Sequence, residues 1–263
     1  MFKVSCIQIC SGKNIKKNLS ISKKLILKAI RQKANLIITP ETSSLFGLNK
    51  KQLFQIATSM NKDIYLKGMK EIAIKYKKWI LTSVLIKDKN KIKNRSVLIG
   101  PKGLIQIFYD KIHMYDAKLS NKEKYFESRT FSAGKSLKTY KLPWGKLGLS
   151  ICYDLRFPNM FRKLAKKGSM FISVPSAFTE TTGKKHWHSL LKARAIENFS
   201  YIFAPAQCGT HWNGRRTYGH SLIVSPDGKV LKELKKRSGV ITADIDPKIS
   251  IDLRRRIPSL KKD

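Results

Sequence analysis

Acidic residues are scarce in this chain: 17 Asp and Glu stand against 54 Lys and Arg, giving a formal net charge of +37 over 263 residues. Long apolar runs are missing as well. None approaches the roughly 20 residues that span a bilayer, so no membrane association is expected. The N-terminus, Met1-Phe2-Lys3-Val4-Ser5-Cys6-Ile7-Gln8-Ile9, goes straight into strand-like alternation without a leader or cleavage pattern. A cytoplasmic protein is therefore expected. Only four cysteines occur, Cys6, Cys10, Cys152 and Cys208, and they lack C-x-x-C or Cys/His spacing. That pattern argues against zinc and against a disulfide framework, and in a reducing compartment it leaves four free thiols. No repeat, low-complexity linker or composition break divides the chain, so one domain over residues 1–263 is expected.

The lysine excess invites a nucleic-acid reading, but its distribution argues otherwise. Lysines fall in nearly every segment, from Lys13, Lys16 and Lys17 to Lys261 and Lys262, and not along one stripe interleaved with aromatics. RNP, GXXG and helix-turn-helix patterns are absent. The charge implies salt-sensitive adhesion to polyanions and no specific nucleic-acid partner.

With 42% hydrophobic and 10% aromatic residues, the chain is globular. Short apolar strands alternate with amphipathic helices. Strands are expected at 2–9, 36–39, 79–86, 96–100, 104–109, 170–174, 201–205, 219–224 and 239–244. Helices are expected at 17–32, 62–76, near 160–167 and at 186–198, with a long loop over 110–134. This alternation implies layered α/β structure with helices outside.

Three reactive residues follow strand ends. Glu41 lies in Ile38-Thr39-Pro40-Glu41-Thr42, and Lys111 comes directly after Phe108-Tyr109-Asp110. Cys152 sits between the apolar run Leu147-Gly148-Leu149-Ser150-Ile151 and the polar exit Tyr153-Asp154-Leu155-Arg156-Phe157-Pro158. A thiol at such a junction has the geometry of a nucleophile elbow, although a free cysteine is also among the most buried residue types. Taken singly, Glu41 and Lys111 read first as solvated surface residues. Together they support one chemistry. A carboxylate takes the thiol proton and returns it to an amine leaving group. An ammonium and the Tyr153 amide offer donors to a developing oxyanion.

The segment Gly148-Leu149-Ser150-Ile151-Cys152-Tyr153-Asp154-Leu155-Arg156-Phe157-Pro158 resembles the nucleophile motif of the nitrilase superfamily of carbon–nitrogen hydrolases. Pro40-Glu41 is similar to its base segment, and Tyr109-Asp110-Lys111-Ile112-His113-Met114 to its lysine segment. The likeness covers essentially the whole chain. It implies a four-layer α-β-β-α sandwich, a Glu41–Lys111–Cys152 triad, no cofactor, and a homodimer or higher homo-oligomer associating through helices near Trp187. Glu127 falls where members often carry a second glutamate, which implies that it orients Lys111 or steers the attacking amine or water.

A finer likeness involves Pro175-Ser176-Ala177-Phe178-Thr179, His186-Trp187, Ala193-Arg194-Ala195-Ile196-Glu197-Asn198, Ala206-Gln207-Cys208-Gly209-Thr210-His211 and Tyr218-Gly219-His220-Ser221. These resemble the superfamily's amidases acting on deaminated glutathione, where the neighbouring ω-amidases, which cleave α-ketoglutaramate and α-ketosuccinamate, usually read Pro-Gly-Ala-Phe-Asn at the first segment. The likeness implies a small anionic amide substrate, with Arg156, Ser176, Phe178, Thr179 and Arg194 around it and Arg215 and Arg216 as further candidate cations. An inactive scaffold serving as a basic binding protein is the reading from another class. One departure stands out: after His186-Trp187 this branch usually has an acidic residue, and here it is His188. Residues 186 and 188 are two apart on a helix and diverge, so no metal site is expected.

Overall fold

The computed structural model describes residues 1–121 and 123–262. The strands are β1 (Phe2–Gln8), β2 (Leu36–Ile38), β3 (Trp79–Asp88), β4 (Lys91–Ile99), β5 (Ile105–Asp110), β6 (Asp116–Lys118), β7 (Lys124–Phe126), β8 (Lys138–Leu142), β9 (Gly145–Leu149), β10 (Ser169–Ser173), β11 (Tyr201–Ala204), β12 (Cys208–Thr210), β13 (Arg216–Tyr218), β14 (Leu222–Val224), β15 (Val230–Glu233) and β16 (Gly239–Ile245). The helices are α1 (Ile15–Arg31), α2 (Lys50–Ile56), α3 (Ile64–Tyr76), α4 (Pro158–Lys166), α5 (Glu180–Asn198), α6 (Pro247–Arg256) and α7 (Ser259–Lys262).

Two six-stranded sheets result, in the orders β16-β1-β2-β3-β4-β5 and β15-β14-β11-β10-β9-β8. Each has three parallel strands at its centre, β1-β2-β3 and β9-β10-β11, flanked by antiparallel neighbours. Side chains alternate across a strand, and this sorts the core into layers. Phe2, Val4, Cys6, Leu36, Ile38, Leu81 and Leu98 join Leu147, Leu149 and Phe171 of the other sheet. The opposite faces of the first sheet, through Ile7, Ile37, Ile80 and Val97, meet Ile26 and Ala29 of α1 and Leu66 and Met69 of α3. Helices α4 and α5 cover the second sheet through Phe161, Leu164, Trp187 and Leu191. This is the α-β-β-α sandwich. Between the sheets, Phe2 stacks on Trp144 at 4.4 Å and meets Phe171 edge-on at 5.2 Å, a geometry aromatic rings favour.

Several elements differ from the sequence expectation. Helix α5 starts six residues before the expected His186, because the Thr179 hydroxyl accepts from the Thr182 amide and caps it. The expected 110–134 loop contains the β6–β7 hairpin and a 3₁₀ turn at Glu127–Arg129. The basic stretch 252–258 supplies the second half of α6 and the turn after it. There Arg254 donates to the carbonyls of Ser169 and Asn198 and to the Ser200 hydroxyl, satisfying backbone acceptors where α5 ends. No helix among the described residues is long and apolar enough to cross a membrane.

Candidate active site

The strand ends deliver their reactive residues to one rim. Ile38 of β2 is level with Leu81 of β3, and three residues further on Val84 is level with Arg95, which pairs with Asp110. Glu41 and Lys111 thus leave β2 and β5, with β3 and β4 between them in the same sheet, at about the same height. Cys152 comes off β9 across the gap between the sheets.

Neither Glu41 nor Lys111 is solvated: they are 2% and 1% exposed, respectively. The Lys111 ammonium donates to Glu41 Oε1 at 2.9 Å and to Glu127 Oε2 at 2.6 Å. Glu41 also accepts from Asn94 Nδ2 and the Ala177 amide, both at 2.8 Å, and its own carbonyl accepts from Gln207. Glu127 accepts in addition from the Tyr115 amide at 2.7 Å. Buried charges persist only when paired and hydrogen-bonded in this way.

Burial acts to raise the Glu41 carboxyl, yet the Lys111 charge and hydrogen bonds from Lys111, Cys152 and Asn94 hold it below the ordinary value. Burial would lower Lys111, but Glu127 and Glu41 hold it above its usual range. Cys152 goes the other way: burial and the Glu41 charge push its thiol well up, against the pull of Lys111. The directions of these shifts correspond to a neutral thiol beside a carboxylate that is braced by an ammonium. A carboxylate so placed can take the thiol proton as sulfur attacks a carbonyl carbon.

The backbone at Cys152 is unusual. Its φ is +50°, the left-handed region that side chains with a Cβ seldom occupy. Its amide donates to the Pro175 carbonyl at 3.0 Å, and Tyr153, next in line, lines a narrow cleft with Cys152, Arg156, Phe178, Thr179 and Thr182. Asp154, wholly buried, explains how the turn is held. It accepts from the Ile151 amide, from the Tyr109 hydroxyl at 2.7 Å and from both the His113 amide and ring. One carboxylate thus ties the lysine segment to the nucleophile segment. His113 also stacks on Phe157 at 3.5 Å, so both its ring edge and its face are engaged.

A second, larger cavity of about 740 Å³ reaches Glu41, Glu127 and Ala177 and is walled by Phe46, Tyr125 and Arg215. It meets the cleft at Ala177, and the stacked Tyr115 and Tyr125 rings, 5.1 Å apart, line one space each.

The structure brings Glu41, Lys111, Cys152, Glu127 and Tyr153 together, with Arg156, Phe178 and Thr179 beside them. It does not bring Ser176 or Arg194, and both expectations are corrected. Ser176 is wholly buried, its hydroxyl donating to the Val174 carbonyl. Arg194 is directed to the Leu155 carbonyl and paired with Glu197 at 3.0 Å, bracing the turn after the nucleophile from behind. Asn94, Asp154 and Gln207 went unassigned in the sequence. Asn94 lay ahead of the strand expected at 96–100, and its role, like those of the other two, depends on long-range contacts.

His188 does diverge from His186, but tertiary folding brings it to His220 and Glu233. The Glu233 carboxylate lies 3.2 Å from His188 Nε2, 2.7 Å from His220 Nδ1 and 3.1 Å from the Lys235 ammonium. Those three partners occupy the carboxylate, making the group an ion-pair and hydrogen-bond cluster.

Beside the larger cavity, His211 is buried and stacked on Phe46. Its Nδ1 lies 2.8 Å from the Ser11 carbonyl, which can only accept, so Nδ1 donates and Nε2 accepts from Thr217. Burial chiefly, with the Arg215 charge adding to it, pulls this imidazole from 6.5 down to about 4. Below pH 6.5 the unfolded chain takes up a proton that the folded one refuses, so stability is lost as pH falls from 6.5 toward 4. The loss amounts to at most ~3 kcal/mol. Thermal melts across this range should show Tm falling with pH, with a shallower slope for His211→Gln. An equal slope in both proteins would assign the acid sensitivity elsewhere.

Residues 3–255 match the Carbon-nitrogen hydrolase family. The chain belongs to that family. The hydrolase is 36% identical over 269 residues to the deaminated glutathione amidase of Synechocystis, covering 99% of this chain and 97% of that one. It is 35% identical to the protein of the same description from Yersinia enterocolitica, covering 98% and 91%. The crystal structure of the C. elegans NitFhit protein superposes with a TM-score of 0.93 at 34% identity over all of this chain, which spans 65% of that longer one. The expected nitrilase-superfamily likeness and sandwich thus hold for this hydrolase.

Proposed function

We propose that this carbon–nitrogen hydrolase is an amidase that cleaves deaminated glutathione to α-ketoglutarate and cysteinylglycine through a thioester on Cys152. The observation that carries the chemistry is the buried set in which Glu41 contacts both the Cys152 thiol and the Lys111 ammonium. The substrate rests on the relatives from Synechocystis and Yersinia that carry this description over nearly their full length.

Glu41 takes the thiol proton as sulfur attacks the amide carbonyl. Ionising Cys152 is unfavourable at rest, so transfer is coupled to attack, when Lys111 and the Tyr153 amide receive the oxyanion. The proton then moves from Glu41 to the departing nitrogen as the C–N bond breaks, freeing the amine. Water enters, Glu41 takes its proton, the hydroxyl adds to the thioester, and collapse releases the acid with the proton returned to sulfur. Glu127 holds Lys111 from the far side. Arg156 lines the Cys152 cleft, and among the described residues no carboxylate pairs with it. It donates instead toward His186 Nδ1 at 3.2 Å, which leaves it able to receive the keto acid's carboxylate.

Self-association and a cytoplasmic setting belong to the same reading. Exposed Ile196 on α5 and Ile249 and Ile251 on α6 favour contact between copies, and four unpaired cysteines suit a reducing compartment. The deciding experiment compares kcat/KM for deaminated glutathione and α-ketoglutaramate with purified protein. The tripeptide should be preferred. Equal or greater efficiency on the shorter amide would make this an ω-amidase.

A further inference from the structure

The cavity that does not contain the thiol holds a cation without a counter-ion. Among the described residues no carboxylate lies within ion-pairing distance of Arg215, and its buried Nε has no hydrogen-bond partner. One Nη donates to the Ala177 carbonyl at 3.1 Å. The guanidinium lies 5.2 Å from the Phe46 ring centre and 4.8 Å from that of Tyr125, so two aromatic faces fix its plane. The other charges on this wall are accounted for. Glu180 pairs with Arg216 at 2.6 Å and with Lys184 at 3.3 Å, while Glu123 accepts from Thr181 and Tyr125. Lys124, on the rim, is exposed to solvent. A half-buried guanidinium left unpaired in a cavity wall is costly unless a ligand completes it, and its planar fork suits a carboxylate.

Position decides which carboxylate. The Cys152 cleft and this cavity meet at Ala177, whose amide holds Glu41 and whose carbonyl holds Arg215. An amide held at the thiol with its acyl half beside Arg156 directs its leaving amine toward Arg215. We infer that Arg215 binds the carboxylate at the far end of the leaving amine, and so decides between a long peptide-like amide and a short one. This inference rests on the proposed substrate. Deaminated glutathione carries an anion at each end, and α-ketoglutaramate, whose leaving group is ammonia, has nothing to offer Arg215.

The test is a specificity ratio. In Arg215→Gln, kcat/KM for deaminated glutathione should fall ~20-fold or more, as expected for a lost charge-assisted contact, while α-ketoglutaramate changes less than about threefold. Arg215→Lys, which keeps the charge without the fork, should fall between. Competitive inhibition by cysteinylglycine should weaken in Arg215→Gln by a similar factor. A purely structural role, acting through Ala177 on Glu41, would depress both substrates together and overturn the inference, as would an unchanged ratio. Wild-type protein that cleaves α-ketoglutaramate but not deaminated glutathione would overturn the proposed substrate and Arg215's role with it. Wild-type protein that cleaves both, with an Arg215→Gln ratio unmoved, would overturn Arg215's role alone.

Discussion

Cys152→Ala is expected to abolish turnover while leaving the fold intact. The side chain is small, and the turn that carries it is held by others: Asp154 accepts from the Ile151 amide, and the Cys152 amide donates to Pro175, contacts a methyl side chain preserves. Without sulfur there is no covalent intermediate, and the remaining donors only polarise the carbonyl. Acid-quenched wild-type protein, sampled during turnover and weighed by mass spectrometry, should carry an acyl adduct absent from the variant. The other thiols offer no substitute, since none stands against Glu41: Cys10 faces the Thr210 carbonyl and His211, Cys208 faces Ser238, and Cys6 is packed between the sheets. Turnover surviving in Cys152→Ala would end the thioester mechanism.

Glu41→Gln should lower kcat by about three orders of magnitude or more, since an amide cannot take the thiol proton. The isosteric side chain keeps one acceptor oxygen, either toward Ala177 or toward Asn94 and Lys111, and turns its NH2 toward the other donor, while Lys111 retains Glu127 at 2.6 Å. The buried ammonium nevertheless loses one of its two counter-charges, so some fall in Tm should accompany the loss, and kcat must be measured well below the variant's melting range. A contrast with Lys111→Ala separates the roles. Removing the oxyanion donor should cost roughly a hundredfold in kcat, whereas removing the base costs more. A Glu41→Gln protein within tenfold of wild type would take the base role away from this carboxylate.

How much of this was legible beforehand depended on the range of the interactions involved. Parallel central strands such as 36–38 and 201–204 are apolar runs bounded by turn residues, and they stand out in one dimension. Strand β4 was half hidden, because its first residues, Lys91 to Asn94, are largely polar and earn their place by pairing with β3. Helix α2 is short, and its Asn49–Gln52 capping box, though local, sits in a stretch without strong periodicity. Nothing local marks the role of Arg254, which stands in a run of arginines on α6 and closes the end of α5.

For the site, the sequence by itself determined which residue types stand after which strands: a glutamate, a lysine and a cysteine, each at an apolar run's end. Strand periodicity and turn chemistry are local, so those positions could be read directly. Only the tertiary structure decided that Glu41 and Lys111 are buried and paired, that Asp154 ties two segments 41 residues apart, and that Arg194 supports the turn while Arg215 remains unpaired. Burial and pairing depend on what the rest of the chain places opposite a residue. That information lies in the packing of two sheets and not in the neighbours along the chain.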